Sequence, residues 1–168
     1  SDALLKEVFQ LAGAMALKMK KLSKIVIASV NGVAAGAGCN IPLAADLSIA
    51  ADNVKFTQAF VNIGLIPDTG GAFWLPRIVG SQRAFEMMAS GRPVDAKEAF
   101  EAGMINEICP PEELEKRTFE LAQKYASGPL QSYKSLKKLM YESMYKDFER
   151  FLEIECRLQT ALTHTADY

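Results

Sequence analysis

The chain has 168 residues, 49% of them hydrophobic, with 19 basic and 20 acidic side chains. This length allows one domain with a substantial core, and the near-neutral balance argues against nucleic acid or an anionic membrane as a partner. Scattered cysteines and a single histidine near the end argue against a zinc site or a Ser-His-Asp triad. No apolar run reaches the roughly 20 residues of a membrane span. We therefore expect a cytoplasmic protein without a metal or a membrane partner.

The first third of the chain predicts a helix followed by a strand–helix–strand unit. Residues 2–22 place apolar side chains at helical spacing, with lysines near the end of the segment. A β-branched run over residues 25–30 predicts a strand, and the small residues 33–38 predict a tight loop that leads into a helix. Strands are predicted at residues 46–51 and 55–57. This order is typical of an α/β fold.

The middle of the chain predicts a rigid loop and then short helices. Pro67 and the pair Gly70-Gly71 punctuate an irregular stretch, after which helical spacing resumes. Asp95 is followed three residues later by Glu98, which predicts a capping box. Gly103 is expected to end that helix, and a short strand is predicted at residues 105–108.

Residues 112–168 predict three helices, with a break at Gly128-Pro129. We therefore divide the chain into a core of residues 1–111 and a helical region of residues 112–168. Tyrosines and lysines in the helical region are compatible with a nucleic-acid surface, but they also suit a solvated helix face. The near-neutral charge of the chain favours the solvated face.

The loop of Gly36, Ala37 and Gly38 is the first candidate for chemistry. Ile41 stands where a dinucleotide fingerprint has its third glycine, and no Lys-Ser/Thr pair follows as it does in a P-loop. Such a loop can bind an anion or an oxyanion through backbone N–H groups at a helix start. It can equally be a tight turn whose glycines serve close packing.

Asp68 is the second candidate, either as a general acid/base on a stiff loop or as a helix N-cap. Asn40 can face the same pocket, or it can make a local hydrogen bond in the first helical turn. Trp74 can line a substrate cavity or belong to the core. These residues alone indicate an α/β domain with an oxyanion-type loop and one carboxylate.

Three stretches together resemble the crotonase superfamily, the enoyl-CoA hydratase/isomerase family. They are IVIASVNGVAAGAGCNIPLAADLSIAADNVKFTQAF, GLIPDTGGAFWLPRIVG and GRPVDAKEAFEAGMINEICP. The PDTGG motif and the loop VNGVAAGAGCN are most similar to the 1,2-epoxyphenylacetyl-CoA isomerase type of phenylacetate degradation. The resemblance implies a ββα spiral, here partial, followed by C-terminal helices that assemble trimers or hexamers.

The resemblance also implies a coenzyme A thioester as substrate and no further cofactor. The thioester carbonyl would be held by two backbone N–H groups, one of which corresponds to Ala37. Hydratases use two glutamates where this chain has Asn40 and Phe60, so simple hydration is not expected. Asp68 matches the aspartate of the epoxide-isomerase branch, which implies that it is the proton shuttle. Asn40 would orient substrate or water, and the substrate would lie against Gly36, Gly38, Phe60, Pro67, Gly70, Gly71 and Trp74.

Family members begin with further ββα units and continue beyond the position of Tyr168, so we expect this sequence to be a fragment. The first hypothesis for the intact protein is an epoxyphenylacetyl-CoA isomerase. A double-bond-shifting enoyl-CoA isomerase or a hydratase-like enzyme of fatty-acid oxidation is the alternative. A third hypothesis is an inactive fragment that serves only as an assembly module.

Overall fold

The structure is a computed structural model that describes residues 2–168, with side chains from residue 3 onward. It contains eight α-helices in that range, which account for most of the chain. They are α1 (Asp2–Lys21), α2 (Ala37–Ala44), α3 (Gly71–Val79), α4 (Ser81–Ser90), α5 (Ala96–Glu101), α6 (Leu114–Ala126), α7 (Leu130–Met140) and α8 (Phe148–Leu162). Short 3-10 helices follow β4 and precede α6, and a π-helical turn, Tyr141–Tyr145, extends α7.

Two small sheets lie among these helices, formed by β1 (Ile27–Val30), β2 (Ala34–Ala35), β3 (Leu47–Ala51), β4 (Lys55–Thr57), β5 (Pro93–Asp95) and β6 (Glu107–Cys109). The first sheet has the order β1-β3-β6, and all its strands are parallel. In the second sheet β4 pairs with β2 in parallel and with β5 in the antiparallel sense. The two sheets alternate along the chain from β1 to β4, so each connection in that stretch moves from one layer to the other, whereas β4 and β5 follow each other within the second sheet.

The predicted strand–helix–strand unit is confirmed. Strand β1 pairs in parallel with β3, from Ile27 opposite Leu47 to Val30 opposite Ala50, and α2 forms the crossover between them. Strands β2 and β5 are not predicted from the sequence. Each has two or three residues and depends on a partner far away in the chain, so neither carries a periodic signal of its own.

Helix α1 is confirmed, but the predicted apolar stripe is not its buried face. Leu4 and Leu11 are 60% and 63% exposed, whereas Ala16 is fully buried and Lys20 is 8% exposed. Helix α8 packs on α1 so closely that a methyl group on Gly13 would lie 2.6 Å from Leu152 Cδ2. A close helix crossing at a small residue thus decides which face of α1 is covered.

An aromatic cluster fills the core between α3 and α8. The ring centroids of Phe73 and Trp74 are 4.9 Å apart, and those of Trp74 and Phe148 are 4.2 Å apart. All three side chains are at most 2% exposed. The cluster joins the start of α3 to the C-terminal helix.

The three predicted C-terminal helices are confirmed as α6, α7 and α8, with the break at Gly128-Pro129 between the first two. The N-cap half of the capping box predicted at Asp95 is confirmed, because its carboxylate accepts the N–H of Glu98 at 2.8 Å, whereas the carboxylate of Glu98 accepts from Arg92. The division of the chain at residue 111 stays a prediction. Across residues 2–168, no helix is both long and apolar enough to cross a membrane.

Candidate active site

The first candidate loop runs from β2 into the N-terminus of α2. Gly36 has φ 56° and ψ −127°, a conformation that is open to glycine and strained for other residues. Its N–H donates to Thr57 O at 3.0 Å and its carbonyl accepts the N–H of Cys39 at 2.9 Å. Ala37 is therefore the first helical residue, and its N–H has no acceptor within the helix. Because Gly38 is exposed and without a side chain, this end of the helix stays uncovered.

Phe60 forms the support of this loop. It lies in the 3-10 helix Ala59–Ile63 and is 7% exposed. A methyl group built on Gly36 would be 3.5 Å from Cζ of the Phe60 ring, which is ordinary van der Waals contact. The ring therefore covers the α-carbon side of Gly36 with an apolar surface.

Asn40 connects α2 to the second candidate loop. Its side chain is fully buried, Nδ2 donates to Asp68 O at 2.8 Å, and Oδ1 accepts from Gln58 Nε2 at 2.6 Å. The local interpretation of Asn40 as a polar residue bonded within its own helical turn is therefore wrong. The amide is a brace between α2, the residue that follows β4 and the loop before α3, while its predicted contact with substrate or water stays a prediction.

The glycine pair at the start of α3 makes close contacts with this brace and with the core. A methyl group on Gly71 would lie 2.3 Å from Asn40 Nδ2, a separation that atoms cannot adopt. Gly70 has φ 77°, and a methyl group there would lie 2.5 Å from Phe148 Cε2. Both positions need glycine for reasons of space, and Gly70 also needs it for its backbone conformation.

Asp68 is a half-buried carboxyl in this second loop, directly after the buried Pro67. Burial raises its pKa, and a hydrogen bond from the Thr69 hydroxyl to Oδ1 at 2.9 Å opposes that rise. The interpretation of Asp68 as a side-chain N-cap is wrong. Gly70 is the N-cap of α3, where no side chain caps the helix, and the carbonyl of Asp68 accepts the N–H of Gly71. The Asp68 carboxyl is thus not used as a helix cap.

Thr69 has φ 55° and is fully buried, which is unusual for a β-branched residue. Its carbonyl accepts the indole N–H of Trp74 at 3.2 Å. Trp74 is 1% exposed and lies in the aromatic cluster beneath the loop. The structure therefore gives Trp74 a supporting contact to the loop, and a direct contact with substrate stays a prediction.

Three polar residues that the sequence reasoning missed hold this region. Gln58 donates to Asn40, Gln159 binds both main-chain polar groups of Ile66, and the carboxylate of Glu155 accepts from the N–H of Gly70. Glu155 and Gln159 continue the stripe of Phe148 and Leu152 along α8. Polar residues that continue an apolar stripe are a signal of buried hydrogen bonding that the sequence does contain.

The predicted site residues fall into two groups. Ala37, Asn40, Phe60, Asp68 and Gly71 belong to three neighbouring elements joined by the contacts described above. Trp74 belongs to the buried aromatic cluster and contacts the loop through the carbonyl of Thr69. Within residues 2–168, no group of three or more His, Cys, Asp or Glu side chains is arranged to hold a metal ion.

Known proteins resemble this chain over nearly all of its length. The profile of the family "Enoyl-CoA hydratase/isomerase" matches residues 6–168. A trans-2-decenoyl-[acyl-carrier-protein] isomerase of Streptococcus mutans is 37% identical over 161 residues, which cover 96% of this chain and 61% of that protein. The 1,2-epoxyphenylacetyl-CoA isomerase of Escherichia coli is 37% identical over 151 residues, which cover 90% of this chain and 58% of that protein.

The crystal structure of an enoyl-CoA hydratase from Mycobacterium avium subsp. paratuberculosis superimposes with a TM-score of 0.93 at 28% identity. The match covers 99% of this chain and 70% of that one. The chain spans about three fifths of the length of the curated relatives described above. The crotonase-like α/β architecture predicted from the sequence is confirmed, and the chain belongs to the enoyl-CoA hydratase/isomerase family.

Proposed function

We propose that this chain supplies the acid/base and one oxyanion donor of an acyl-CoA isomerase. The substrate is a coenzyme A thioester, and no other cofactor takes part. The N–H of Ala37 would bind the thioester oxygen as negative charge develops on it, and loss of one such donor typically costs about 3 kcal/mol of barrier. Asp68 would remove a proton next to the thioester carbonyl and return it at another position.

The observation that carries this proposal is the direct connection between the two loops. Asn40, in the first turn of α2, binds the main chain of Asp68 itself at 2.8 Å. Gly71 allows the two elements to approach to contact distance at the same point. A free N–H at the start of α2 and a carboxyl that caps no helix are thereby fixed on adjoining segments, as acid/base catalysis of an enolate requires.

The environment of Asp68 supports the role of proton shuttle. Burial raises the pKa of its carboxyl, which makes the carboxylate a stronger base and brings its pKa nearer to neutral pH. Asn40 occupies the position of a hydratase glutamate, and an amide cannot take a proton near neutral pH. With both ends of that amide hydrogen-bonded to protein groups, proton transfer is left to Asp68.

The relatives support two substrates for the same chemistry. We favour ring-1,2-epoxyphenylacetyl-CoA, in phenylacetate degradation, because the name of the Escherichia coli relative gives that substrate. A shift of a carbon–carbon double bond in an enoyl thioester is the second candidate, favoured by the isomerase of Streptococcus mutans that matches 96% of the chain. Both reactions pass through proton transfer next to a thioester.

Asp68→Asn tests the role of Asp68. In the longest natural form of the protein, we expect kcat to fall by about 10²- to 10⁴-fold on ring-1,2-epoxyphenylacetyl-CoA, because the amide cannot exchange protons. The exposed Asp52→Asn is the matched control and should leave kcat unchanged. Wild-type turnover by the Asp68 variant on both the epoxide and a 3-enoyl-CoA would overturn the mechanism. Comparison of kcat/KM for the two substrates decides between them.

Assembly into a homotrimer or hexamer is part of the same proposal. Large apolar side chains on α6 and α7 are exposed, among them Phe119 (63%), Leu136 (57%) and Leu139 (67%). Light scattering coupled to size exclusion tests the subunit number. Titration of a CoA thioester into the 168-residue chain by calorimetry tests the alternative of an inactive assembly module, because low-micromolar binding would contradict it. The free cysteines Cys39, Cys109 and Cys156 suit the reducing conditions of the cytoplasm.

A further inference from the structure

Glu155 is a buried carboxyl that the proposed chemistry does not use. It lies on α8 and is 4% exposed. Its two oxygens are 3.1 Å and 3.2 Å from the N–H of Gly70. Burial of an ionised carboxylate is costly unless it is paired with a cation, and one amide is a modest partner. A carboxyl in such a place needs a reason beyond packing.

Side chains of α8 form hydrogen bonds with the loop of Asp68 on both sides of that residue. One turn after Glu155, Gln159 donates to Ile66 O at 2.9 Å and accepts from Ile66 N at 3.0 Å. Glu155 binds Gly70, so the two contacts lie two residues before and two residues after Asp68. The main chain on either side of Asp68 is therefore held by side chains that lie nearly 90 residues later in the sequence.

The charges around Glu155 favour its neutral form. Burial raises the pKa of Glu155 to about 8, the Gly70 hydrogen bond opposes this rise, and the negative charge of Asp68 adds to it. Asp68 is the titratable group that faces Glu155 from the loop. On the side of α1, Lys21 pairs with Glu149, which lies more than one helical turn before Glu155 on α8. Glu155 is thus held towards its protonated form next to the carboxyl of Asp68, as in other carboxyl pairs that titrate in sequence.

We propose that Glu155 is a positioning residue for Asp68: through Gly70 it fixes the loop, and as a neutral acid it leaves a single negative charge in the site. This inference rests on the proposed role of Asp68 as the proton shuttle. When Glu155 ionises, a second negative charge next to Asp68 opposes formation of an enolate, which is itself negative. Activity should therefore fall on the alkaline side as Glu155 loses its proton.

Two substitutions separate these contributions. Glu155→Gln imitates the neutral acid and keeps an acceptor for Gly70, whereas Glu155→Ala removes the contact. The exposed Glu153→Gln, on the same helix, is the matched control. The assay is incorporation of deuterium from D₂O next to the carbonyl of phenylacetyl-CoA, measured across pH with the longest natural form of the protein. This exchange reports enolate formation without requiring the true substrate.

At about pH 6.5 we expect Glu155→Gln to exchange within about twofold of wild type and Glu155→Ala to have a kcat about tenfold lower at similar KM. Above pH 8 the wild-type rate should fall and the Glu155→Gln rate should not. The inference is overturned if Glu155→Gln keeps the alkaline loss, or if Glu155→Ala matches wild type. If Asp68→Asn is inactive in this assay and Glu155→Gln has the wild-type profile, only the inference on Glu155 fails. An active Asp68→Asn overturns the proposed function itself.

Stability provides a readout that does not depend on activity. The folded pKa of Glu155 lies above its ordinary value of 4.5, so between pH 4.5 and about 8 the folded protein holds more protons than the unfolded chain. Its contribution to stability is complete below pH 4.5 and is lost as the pH rises towards 8. Glu155→Gln should abolish this part of the pH dependence, and Glu153→Gln should retain it. An unchanged dependence in Glu155→Gln would show that Glu155 is not buried as a neutral acid.

Discussion

The loop before α2 and the loop before α3 both lead into the N-terminus of a helix, but different contacts hold them. The first loop offers a backbone N–H, and its shape follows from Gly36 and the sheet hydrogen bond to Thr57. The second offers the carboxyl of Asp68 and is held by side chains from α2 and α8. A backbone donor needs only the correct φ and ψ angles, which glycine makes accessible locally. A carboxyl needs a fixed support and a tuned environment, which here come from distant parts of the chain.

This difference has a consequence for how each loop tolerates substitution. The first loop should accept changes of side chain as long as its backbone conformation is kept. The second loop should be sensitive to substitution of any residue that braces it, including residues that do not contact the substrate. The following substitutions test this contrast, beginning with the largest expected effect on stability.

Gly71→Ala should be the most damaging small change in the second loop. Its methyl group would lie 2.3 Å from Asn40 Nδ2, so the buried brace must move, at an expected cost of about 3 kcal/mol. Urea unfolding measures this cost. Gly38→Ala is the control in the first loop, because a methyl group there has nothing within 4 Å and alanine favours a helix. Equal destabilisation by both substitutions would remove the contrast between the loops.

Asn40→Ala should destabilise the protein by about 2 kcal/mol, because it leaves the Asp68 carbonyl and the Gln58 amide without this partner. We also expect kcat to fall with little change in KM, since the substitution frees the loop and leaves the binding surface intact. Chemical unfolding and steady-state kinetics provide both values. Asn53→Ala, in the exposed turn after β3, is the control. A variant at position 40 with normal stability would show that the amide does not brace the loop.

Gly36→Ala should cost roughly 1–2 kcal/mol through the backbone alone, since φ is 56° and the nearest ring atom is at an ordinary 3.5 Å. Thermal unfolding measures the loss. Ala37→Gly is the informative companion, because it changes a side chain and keeps the N–H. It should retain kcat within a few-fold, and a large loss of activity there would mean that the side chain, rather than the backbone, serves the reaction.

Lys20→Met should change stability least at neutral pH. Lys20 contacts the helices that follow both loops, because its ammonium donates to Ala45 O at the end of α2 and lies 5.4 Å from the ring of Trp74 in α3. Burial lowers its pKa from 10.5 to about 8. Between these values the unfolded chain holds more protons, so stability should rise with pH. Lys20→Met should abolish that rise, and Lys97→Met, at an exposed position, should not. Thermal unfolding between pH 7 and 11, a range that includes both pKa values, measures this rise in stability.

The first loop was largely predictable from the sequence, because the conformation of Gly36 and the helix start at Ala37 follow from local backbone preferences. The resemblance to the crotonase family also predicts a role for Asp68, which stays a proposal. The contacts that hold the loop of Asp68 were not predictable from local sequence. Asn40 lies 28 residues before Asp68, and the hydrogen bonds from α8 form only when that helix packs across the loop. Local reasoning therefore offered a hydrogen bond within its own helical turn as one alternative for Asn40 and a helix cap as one alternative for Asp68, and the structure shows neither.

The helices show the same limit. Periodicity located α1, but its exposed apolar side and its buried face at Gly13 and Lys20 follow from the crossing with α8. Strands β2 and β5 exist because β4 lies between them. In each case the missing information is a contact between distant residues, and spacing within one segment does not encode it.

Thr69 illustrates a compromise within the second loop. A β-branched residue in a left-handed conformation is strained, typically by about 1–2 kcal/mol, and glycine would relieve that strain. Its hydroxyl, however, donates to the carboxyl of Asp68 at 2.9 Å. Selection of variants for heat resistance should therefore favour glycine or asparagine at position 69 and produce slower enzymes. Stability and turnover therefore favour different residues at position 69.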